Sequence, residues 1–542
     1  MKRSNLVIAV ILLAAVPLFG ATSIENSTAY TQAARVSYDA GFVQNAADYA
    51  DTAISYCESN ADAWYLKTLA EKRMNPELPV LSSIETLEHA FQGGAFWENE
   101  SEYDARMCLA DMCYVTGRYS RAAELLQENA DVTEEKLILL SKVLYGLGEK
   151  TSARECIETG IQMYPDDENF YIIYFMNENA EEVREDSLCV RLTGNVGLFD
   201  PTASDIYLYA SKFVDDATSE RYVRLYSQYN AANPLYAIYS LEKGIISFDE
   251  ALYLFDSLCH DGMRYEQFSQ LCSFAGEDDY VHLYAFLDEF NGVLLFTDEE
   301  TGLTEMNCSY RYGRPYTVSY DRDCDNNLDM LVFCDYGTPV SVQLPSAGVK
   351  LEYNRYPYVG RTEFAEPAIT LEFARNASVW KAVSMEKAAF TADDFAFYIP
   401  VMADLLEDVS PVNFYKGCSV IECTTDDPSG CEIRIVMNGG KPVDAFYTVR
   451  GRLYAHAYFK NGELLYRDVD MDGDGLYELS EQYMYDEPEP DPELIGNRIY
   501  GTVTDCFETP RFSVLLSDGD GDGVYEYEET MNPDGTSDIV WY

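Results

Sequence analysis

Two short segments near the C-terminus carry carboxylates at a regular spacing. Residues 470–481 read DMDGDGLYELSE, and residues 518–529 read DGDGDGVYEYEE. In both segments, acids occupy positions one, three, five, nine and twelve, and glycine occupies position six. Three carboxylates at alternate positions can converge on one hard cation, glycine lets the chain turn sharply, and the seventh residue supplies a backbone carbonyl. The spacing therefore predicts a calcium ion in each segment.

The expected ligands follow from these positions. The ligands expected at the first site are Asp470, Asp472, Asp474, the Leu476 carbonyl and Glu478. The ligands expected at the second site are Asp518, Asp520, Asp522, the Val524 carbonyl and Glu526. Glu481 and Glu529, at position twelve, are additional candidate ligands. The alternative interpretation is a pair of solvated acidic turns that bind no metal.

The spacing of both loops resembles that of an EF-hand calcium loop, but the flanking residues do not fit the EF-hand fold. The segments GELLYRDV and LYELSEQYMY on either side of the first loop alternate like strands and lack helical periodicity. The loops therefore look more like the β-flanked DxDxDG calcium loops of several extracellular repeat families. That resemblance implies that the acid at position nine completes the shell in place of the acid at position twelve.

A third, weaker loop reads DRDCDNNLD at residues 321–329. Its candidate ligands are Asp321, Asp323, Asp325 and Asp329. Asn326 stands where the other loops have glycine, which is tolerable because asparagine also adopts the left-handed conformation. Position twelve is Val332, which excludes an EF-hand-type loop. A solvated acidic turn is the alternative here as well.

Other reactive chemistry is poorly supported. The chain has only four histidines, His89, His260, His282 and His456, and no HExxH, GxSxG, Walker A or dinucleotide-binding motif. No CxxC pair occurs among its 14 cysteines, which argues against a zinc site. The sequence therefore predicts no catalytic residue and a protein that is not an enzyme. Calcium is the only cofactor expected.

The composition narrows the possible partners. The chain has 542 residues, 93 of them acidic and 38 basic, for a formal charge of −55. Nucleic acid and anionic membrane surfaces would be repelled, so neither is expected as a partner. Hydrophobic residues make up 47% of the chain and aromatic residues 14%, which is ample for packed cores. The chain is therefore expected to be globular and not a disordered acidic tail.

The N-terminus has the layout of a secretory signal peptide. Lys2 and Arg3 precede an apolar run from Leu6 to Phe19, and the small residues at 20–23 follow. The run is too short for a stable transmembrane span, so residues 1–22 are interpreted as a signal peptide that leaves no stable membrane insertion in the mature chain. We expect the protein in a periplasm, secreted or at the cell surface. An uncleaved anchor is the alternative.

Residues 23–280 contain a repeated helical skeleton, in which a small residue is followed seven positions on by glycine and five further on by alanine. The three copies are Ala34, Gly41, Ala46; Ala110, Gly117, Ala122; and Ser141, Gly148, Ala153. A decayed copy with Ala251 and Phe255 lies further on. Small residues let antiparallel helices approach closely, and glycine permits the turn between them. The arrangement resembles the tetratricopeptide repeat (TPR), which implies an α-solenoid that binds a protein or peptide segment.

From about residue 290 the pattern changes to alternation, as in CSYRYGRPYTVSYD and DAFYTVRGRLYAHAYFKNGELLYRD. Residues 290–542 are therefore predicted to form antiparallel hairpins, so the fold class is α+β and multidomain. One helix, capped by Thr391 and running from Ala392 to Leu406 with a kink at Pro400, is expected to interrupt them. Residues 486–493, DEPEPDPE, are interpreted as a connector.

The cysteines divide by their sequence context. Those expected to pack within helices are Cys57, Cys108, Cys113 and Cys156. Those expected to be disulfide candidates, with open pairing, are Cys418, Cys423, Cys431 and Cys506.

Three functional classes remain. The favoured one is an exported, non-catalytic interaction protein with a TPR-like solenoid and a calcium-stabilised β domain. The second is a cell-envelope polysaccharide-binding protein, because the 44 tyrosines provide stacking faces for sugars. The third is an outer-membrane β-barrel-associated protein, suggested by the terminal Trp541 and Tyr542.

Overall fold

The computed structural model divides the chain into two compact units. Unit 1 comprises residues 1–307 and 321–327, and unit 2 comprises residues 308–320 and 328–542. The structure describes residues 22–75, 80–128, 131–201, 205–229, 232–298, 301–325, 327–374, 377, 380–391, 395–403, 409–424, 430–483, 512–532 and 536–542. No helix among these residues has the length and apolar character needed to cross a bilayer. The expected signal peptide and the 486–493 connector lie outside the described residues.

Unit 1 is a series of helices. Their bounds are α1 Ser23–Asp39, α2 Val43–Tyr56, α3 Ala61–Met74, α4 Val80–Glu88, α5 Glu102–Val115, α6 Tyr119–Gln127, α7 Glu134–Gly146, α8 Lys150–Met163, α9 Asn169–Asn177, α10 Ala180–Val183, α11 Ser187–Asn195, α12 Ile206–Ala210, α13 Asp216–Tyr229, α14 Leu235–Glu242, α15 Phe248–Leu258, α16 Tyr265–Ser273 and α17 Tyr280–Glu289.

The repeated skeleton marks the helix pairs. Helices α1 and α2, α5 and α6, and α7 and α8 pack against each other in sequence. The turns of these three pairs contain Gly41, Gly117 and Gly148, with φ of 84°, 69° and 74°, in the left-handed region that glycine enters without strain. The small residues on both sides of each turn, from Ala34 to Ala153, are fully buried. The predicted helix–glycine–helix hairpins are therefore confirmed.

Close helix contact and buried polar groups hold unit 1 together. Gly160 on α8 lies so near Phe170 on α9 that a Cβ atom there would fall 2.3 Å from the ring. Asp62 on α3 is 1% exposed, and its carboxylate accepts hydrogen bonds from the backbone N–H groups of residues 98, 99 and 100 at 2.7–3.2 Å. Burial raises the pKa of this carboxyl group, whereas the N–H donors act to lower it. One side chain thus fixes the long loop that precedes α5.

One two-residue strand lies between α15 and α16, and the other strands follow the helices. Their bounds are β1 Met263–Arg264, β2 Val293–Thr297, β3 Thr304–Arg311, β4 Arg314–Tyr320, β5 Met330–Asp335, β6 Thr338–Leu344, β7 Val349–Arg355, β8 Tyr358–Phe364, β9 Ile369–Phe373, β10 Val383–Lys387, β11 Tyr398–Met402, β12 Cys418–Thr424, β13 Glu432–Asn438, β14 Lys441–Val449, β15 Arg452–Lys460, β16 Glu463–Val469, β17 Leu479–Tyr483, β18 Phe512–Ser517, β19 Tyr527–Met531 and β20 Ser537–Trp541.

The strands of unit 2 form an antiparallel series. Strands β4 to β9 pair each with the next, β9 pairs with β12, and β12 to β20 again pair in order. Two-residue turns such as Arg450–Gly451 and Asn461–Gly462 have positive φ at both positions, as tight hairpins require. The predicted fold class, helical repeats followed by an antiparallel β domain, is confirmed.

The helix predicted after Thr391 is wrong. Tyr398–Met402 is strand β11, which pairs with β10 so that Pro400 lies opposite Met385. The β-branched and aromatic residues of YIPVM suit a strand, and proline is tolerated because this two-stranded ribbon leaves edge positions. Residues 392–394 and 404–408 of the expected helix lie outside the described residues.

The cysteine interpretation is partly wrong. Cys418, Cys423 and Cys431 form no disulfide bond among the described residues, and Cys506 lies outside those residues. Cys418 Sγ instead lies 3.4 Å from the backbone carbonyl of Glu372 on the neighbouring strand. Within helices, Cys113 and Cys156 are buried and Cys108 is partly exposed, whereas Cys57 lies just after the end of α2 and is partly exposed.

Candidate metal sites

The first acidic loop, residues 470–478, joins β16 to β17 and folds around its own carboxylates. Asp470 is 5% exposed and accepts hydrogen bonds from the backbone N–H groups of Gly473 at 2.6 Å and Gly475 at 2.9 Å. Asp472 accepts from Asp474 N at 3.0 Å. The glycines have φ of 78° and 96°, so they allow the tight winding that the sequence predicts.

The second loop, residues 518–526, joins β18 to β19 and repeats this geometry. Asp518 is 3% exposed and accepts from Gly521 N at 2.8 Å and Gly523 N at 2.7 Å. Desolvation acts to raise the pKa of Asp518, but these N–H donors outweigh it and hold that pKa below its usual value. The carboxyl group of Asp518 is therefore ionised, which is the form that binds a metal.

Each loop gathers four carboxylates. In the first loop, one oxygen from each of Asp470, Asp472, Asp474 and Glu478 lies within 4.8 Å of the others. The second loop gathers Asp518, Asp520, Asp522 and Glu526 within the same limit. These are the acids at positions one, three, five and nine.

The acids at position twelve lie outside both clusters. Glu481, on β17, forms an ion pair with Arg467 on β16 and also accepts a hydrogen bond from the Tyr483 hydroxyl group at 2.5 Å. Glu529, on β19, accepts from the Tyr527 hydroxyl group at 2.9 Å. The strand that follows each loop carries these side chains away from the loop. The backbone N–H groups of Leu476 and Val524 donate to Asp474 and Asp522 at 2.8 and 2.9 Å.

The surroundings of Glu478 indicate whether a cation fits the first cluster. Its side chain is only 9% exposed, and Oε2 accepts from Met471 N at 2.6 Å. Oε1 is buried and has no hydrogen-bond partner among the described residues. A buried carboxylate oxygen without a partner is costly, and a cation would compensate it. All the ligand atoms are oxygens, which suits calcium or magnesium and not a softer metal.

The two loops contact each other. Asp518 N donates to the backbone carbonyl of Glu478 at 2.9 Å, so the first acid of the second cluster is hydrogen-bonded to the last acid of the first cluster. A Cβ atom at Gly523 would lie 3.7 Å from the Leu476 side chain, which shows how closely the loops approach. Antiparallel pairing of β17 with β18 brings the loops together.

The third loop has a different environment, because its residues 321–327 belong to unit 1. Asp321, Asp323 and Asp325 form a cluster, whereas Asp329 lies outside it and Asn326 outside the described residues. Val80 N, at the start of α4, donates to the Asp325 carbonyl at 3.0 Å, and an Arg118 nitrogen lies 3.8 Å from Asp323 Oδ2. This arginine is about 200 positions away in sequence, so no local motif signals it. The cluster charge is therefore partly neutralised by the protein itself.

Histidine and cysteine do not join these clusters. Within the described part of the chain, the candidate metal-binding groups contain only aspartate and glutamate. His89 stacks on Trp64 with ring centroids 4.4 Å apart, and His456 packs between Phe446 and Tyr458 at 4.3 and 3.9 Å. These histidines have packing roles.

Comparison with known proteins gives distant similarities. No protein-family profile matches the chain. It is 20% identical over 575 residues to an uncharacterized protein of Treponema pallidum (strain Nichols), covering 81% of this chain and 71% of that protein. Its own elements therefore define its class, a helical-repeat unit followed by an antiparallel β unit with acidic loops.

Solved structures, two of them of TPR proteins, also resemble it. One is YrrB, a TPR protein with an unusual peptide-binding site, which is 16% identical, covers 31% of this chain and 86% of its own, and has a TM-score of 0.28. Another is a TPR protein from Parabacteroides merdae, 14% identical, covering 43% of this chain and 84% of its own, with a TM-score of 0.25. Pseudomonas aeruginosa pilF is 15% identical, covers 48% of this chain and 98% of its own, and has a TM-score of 0.26.

Proposed function

We propose that this chain is an exported, non-catalytic interaction protein whose β unit is stabilised by calcium. In this proposal, unit 1 binds a protein or peptide segment, and unit 2 binds one calcium ion in each of the loops 470–478 and 518–526. The third loop is a weaker site, because Arg118 already lies beside Asp323.

The observation that carries the proposal is the buried Oε1 of Glu478. It belongs to a cluster of four carboxylates in a chain with a formal charge of −55, and it lacks a hydrogen-bond partner among the described residues. Four like charges at this separation repel one another, and a divalent cation converts that repulsion into attraction. The identical hydrogen-bonding pattern of the second loop supports a second ion.

The test is calcium titration of the full-length chain by isothermal calorimetry. We expect two calcium ions with dissociation constants on the order of 10⁻⁴ to 10⁻³ M, as in other extracellular modules. Magnesium is expected to bind more weakly, because it dehydrates reluctantly. The double variant Asp470→Ala, Asp518→Ala removes both first ligands and should lose this binding. The matched double variant Glu481→Ala, Glu529→Ala changes two acids outside the clusters and should retain it.

Protein binding by unit 1 is supported by its serial helix hairpins, because stacked repeats expose a continuous face of many side chains. Affinity capture from the native envelope, with and without chelator, would identify a partner and its calcium dependence. Retrieval of no partner under either condition would contradict the interaction role.

Export is supported by the basic, apolar and small-residue order of residues 2–23. N-terminal sequencing of the mature protein should find a start near residues 21–24. An intact Met1 on cytoplasmic protein would contradict this part of the proposal.

A further inference from the structure

Two neighbouring hairpin turns of unit 2 line one cavity of about 430 Å³. The turns are Tyr312–Gly313, between β3 and β4, and Tyr336–Gly337, between β5 and β6. A Cβ atom at Gly337 would lie 3.4 Å from Pro315, which shows that the second turn approaches the start of β4, just after the first turn. This cavity contains none of the acidic loops and is independent of the proposed calcium sites.

Both turns present a large ring at a conformationally unfavourable position. Tyr312 has φ 48° and is 75% exposed, and Tyr336 has φ 45° and is 89% exposed. Asparagine, aspartate or glycine occupy such left-handed turn positions with less strain, as Asn461 does in another hairpin of this unit. Two exposed aromatic rings at strained positions of one cavity indicate a ligand-binding role.

The cavity also contains positive charge that forms no ion pair within the described part of the chain. The Arg311 guanidinium group lies over the Tyr316 ring at 3.5 Å. Arg314 donates to the backbone carbonyl of Ala396 at 3.3 Å. Among the described residues neither arginine forms an ion pair, whereas Arg361 and Arg434 of the same unit do. The cavity is lined by these two arginines and by one carboxylate, Asp335. It therefore carries a local positive charge, although the chain as a whole has 93 acidic residues.

We propose that this cavity binds a saccharide that carries a carboxylate group. The tyrosine rings provide flat apolar faces for sugar rings, and a guanidinium group pairs with a carboxylate through parallel hydrogen bonds. Asp335 accepts hydrogen bonds from sugar hydroxyl groups. The volume lies within the range of small-ligand sites and suits one or two sugar rings.

An acidic peptide is the competing occupant, and the strand pairing disfavours it. Peptides that add to a sheet need an unpaired strand edge. Strand β5 pairs with β4 on one side and with β6 on the other, so its backbone has no open edge to which a peptide could hydrogen-bond. The cavity therefore offers side chains at turn tips, which suit a saccharide better than an extended peptide.

The test is titration of the full-length chain with oligogalacturonate, a sialylated oligosaccharide, neutral maltohexaose and poly-glutamate, followed by calorimetry. We expect at least one acidic saccharide to bind, with weaker binding at higher salt, and maltohexaose to bind at least about tenfold more weakly. Tighter binding of poly-glutamate, equal binding of maltohexaose, or no binding of either acidic saccharide at millimolar concentration would overturn the proposal.

Variants separate the site from the fold. Tyr312→Asn and Tyr336→Asn remove the rings but suit the left-handed turns, so each should weaken binding about tenfold without lowering the melting temperature. Arg311→Gln should weaken binding of the acidic saccharide about tenfold. Arg450→Asn makes the same kind of change in a hairpin turn outside the cavity and should leave binding unchanged. Unaltered binding in both tyrosine variants would overturn the assignment.

Discussion

Glu478→Gln should raise the stability of unit 2 without calcium and halve the stabilisation that calcium adds. Glutamine retains an oxygen that can accept the hydrogen bond from Met471 N and replaces the unpaired Oε1 by an uncharged amide nitrogen. Without calcium, the variant therefore relieves repulsion among four carboxylates. With calcium, it lacks the anionic ligand that completes the first site.

The expected magnitudes follow from the burial and the linkage relation. The glutamine amide N–H group can donate to a neighbouring carboxylate of the cluster, where Oε1 could only repel it, and a hydrogen bond to a charged group contributes about 1.5–3 kcal/mol. The metal-free variant should therefore be more stable than the wild type by about 1 kcal/mol. Calcium at tenfold excess over the dissociation constant adds about 1.4 kcal/mol per site, or about 2.8 kcal/mol for the two sites of the wild type. The variant should gain about half of this. At about 2–4 °C per kcal/mol, the calcium-induced shift in melting temperature is about 6–11 °C for the wild type.

The assay is differential scanning calorimetry of the full-length chain in chelator and in millimolar calcium. Glu529→Gln is the matched control, because Glu529 lies outside the cluster and hydrogen-bonds to Tyr527. Its calcium-induced shift should equal that of the wild type. A calcium site that includes Glu478 is refuted if Glu478→Gln keeps the full calcium-induced shift in melting temperature. It is also refuted if the variant has a lower melting temperature than the wild type in chelator.

Two further predictions concern unit 1, both measured by denaturant unfolding. Gly160→Ala places a Cβ atom 2.3 Å from Phe170 and should lower the free energy of unfolding by about 2–3 kcal/mol. Gly148→Ala meets open space at φ 74° and should lower it by only about 1 kcal/mol. Equal losses in the two variants would contradict this packing argument. Asp62→Ala leaves three N–H groups without their acceptor and should cost about 3 kcal/mol. Because the pKa of Asp62 is raised above 3.8, its contribution to stability should fall as the pH rises through the raised pKa, and Asp62→Asn should abolish that dependence.

Local spacing made much of this protein predictable from sequence. The acids at positions one, three, five and nine are brought together because each loop winds through glycines that are adjacent in the chain. Gly41, Gly117 and Gly148 mark helix turns for the same local reason. Alternation over the C-terminal half predicted hairpins because side chains of a strand point to opposite faces.

Other features depend on partners that are distant in sequence. Tyr398–Met402 is a strand because Val383–Lys387 pairs with it, and the residues of the segment do not by themselves indicate that pairing partner. Glu481 lies outside the first cluster because the pairing of β16 with β17 places it opposite Arg467, with which it forms an ion pair. Cys418, Cys423 and Cys431 form no disulfide bond among the described residues, and the strand register places the Cys418 thiol beside a backbone carbonyl of the neighbouring strand.

The sequence by itself thus determined which carboxylates cluster in the loops 470–478 and 518–526, since each cluster lies within nine consecutive residues. Only the tertiary structure decided that Arg118 lies beside the third loop and that Asp518 N bonds to the carbonyl of Glu478. It also decided that Tyr312 and Tyr336 share one cavity. The physical reason is that loop winding depends on the φ of neighbouring residues, whereas contacts between loops depend on the packing of the whole unit.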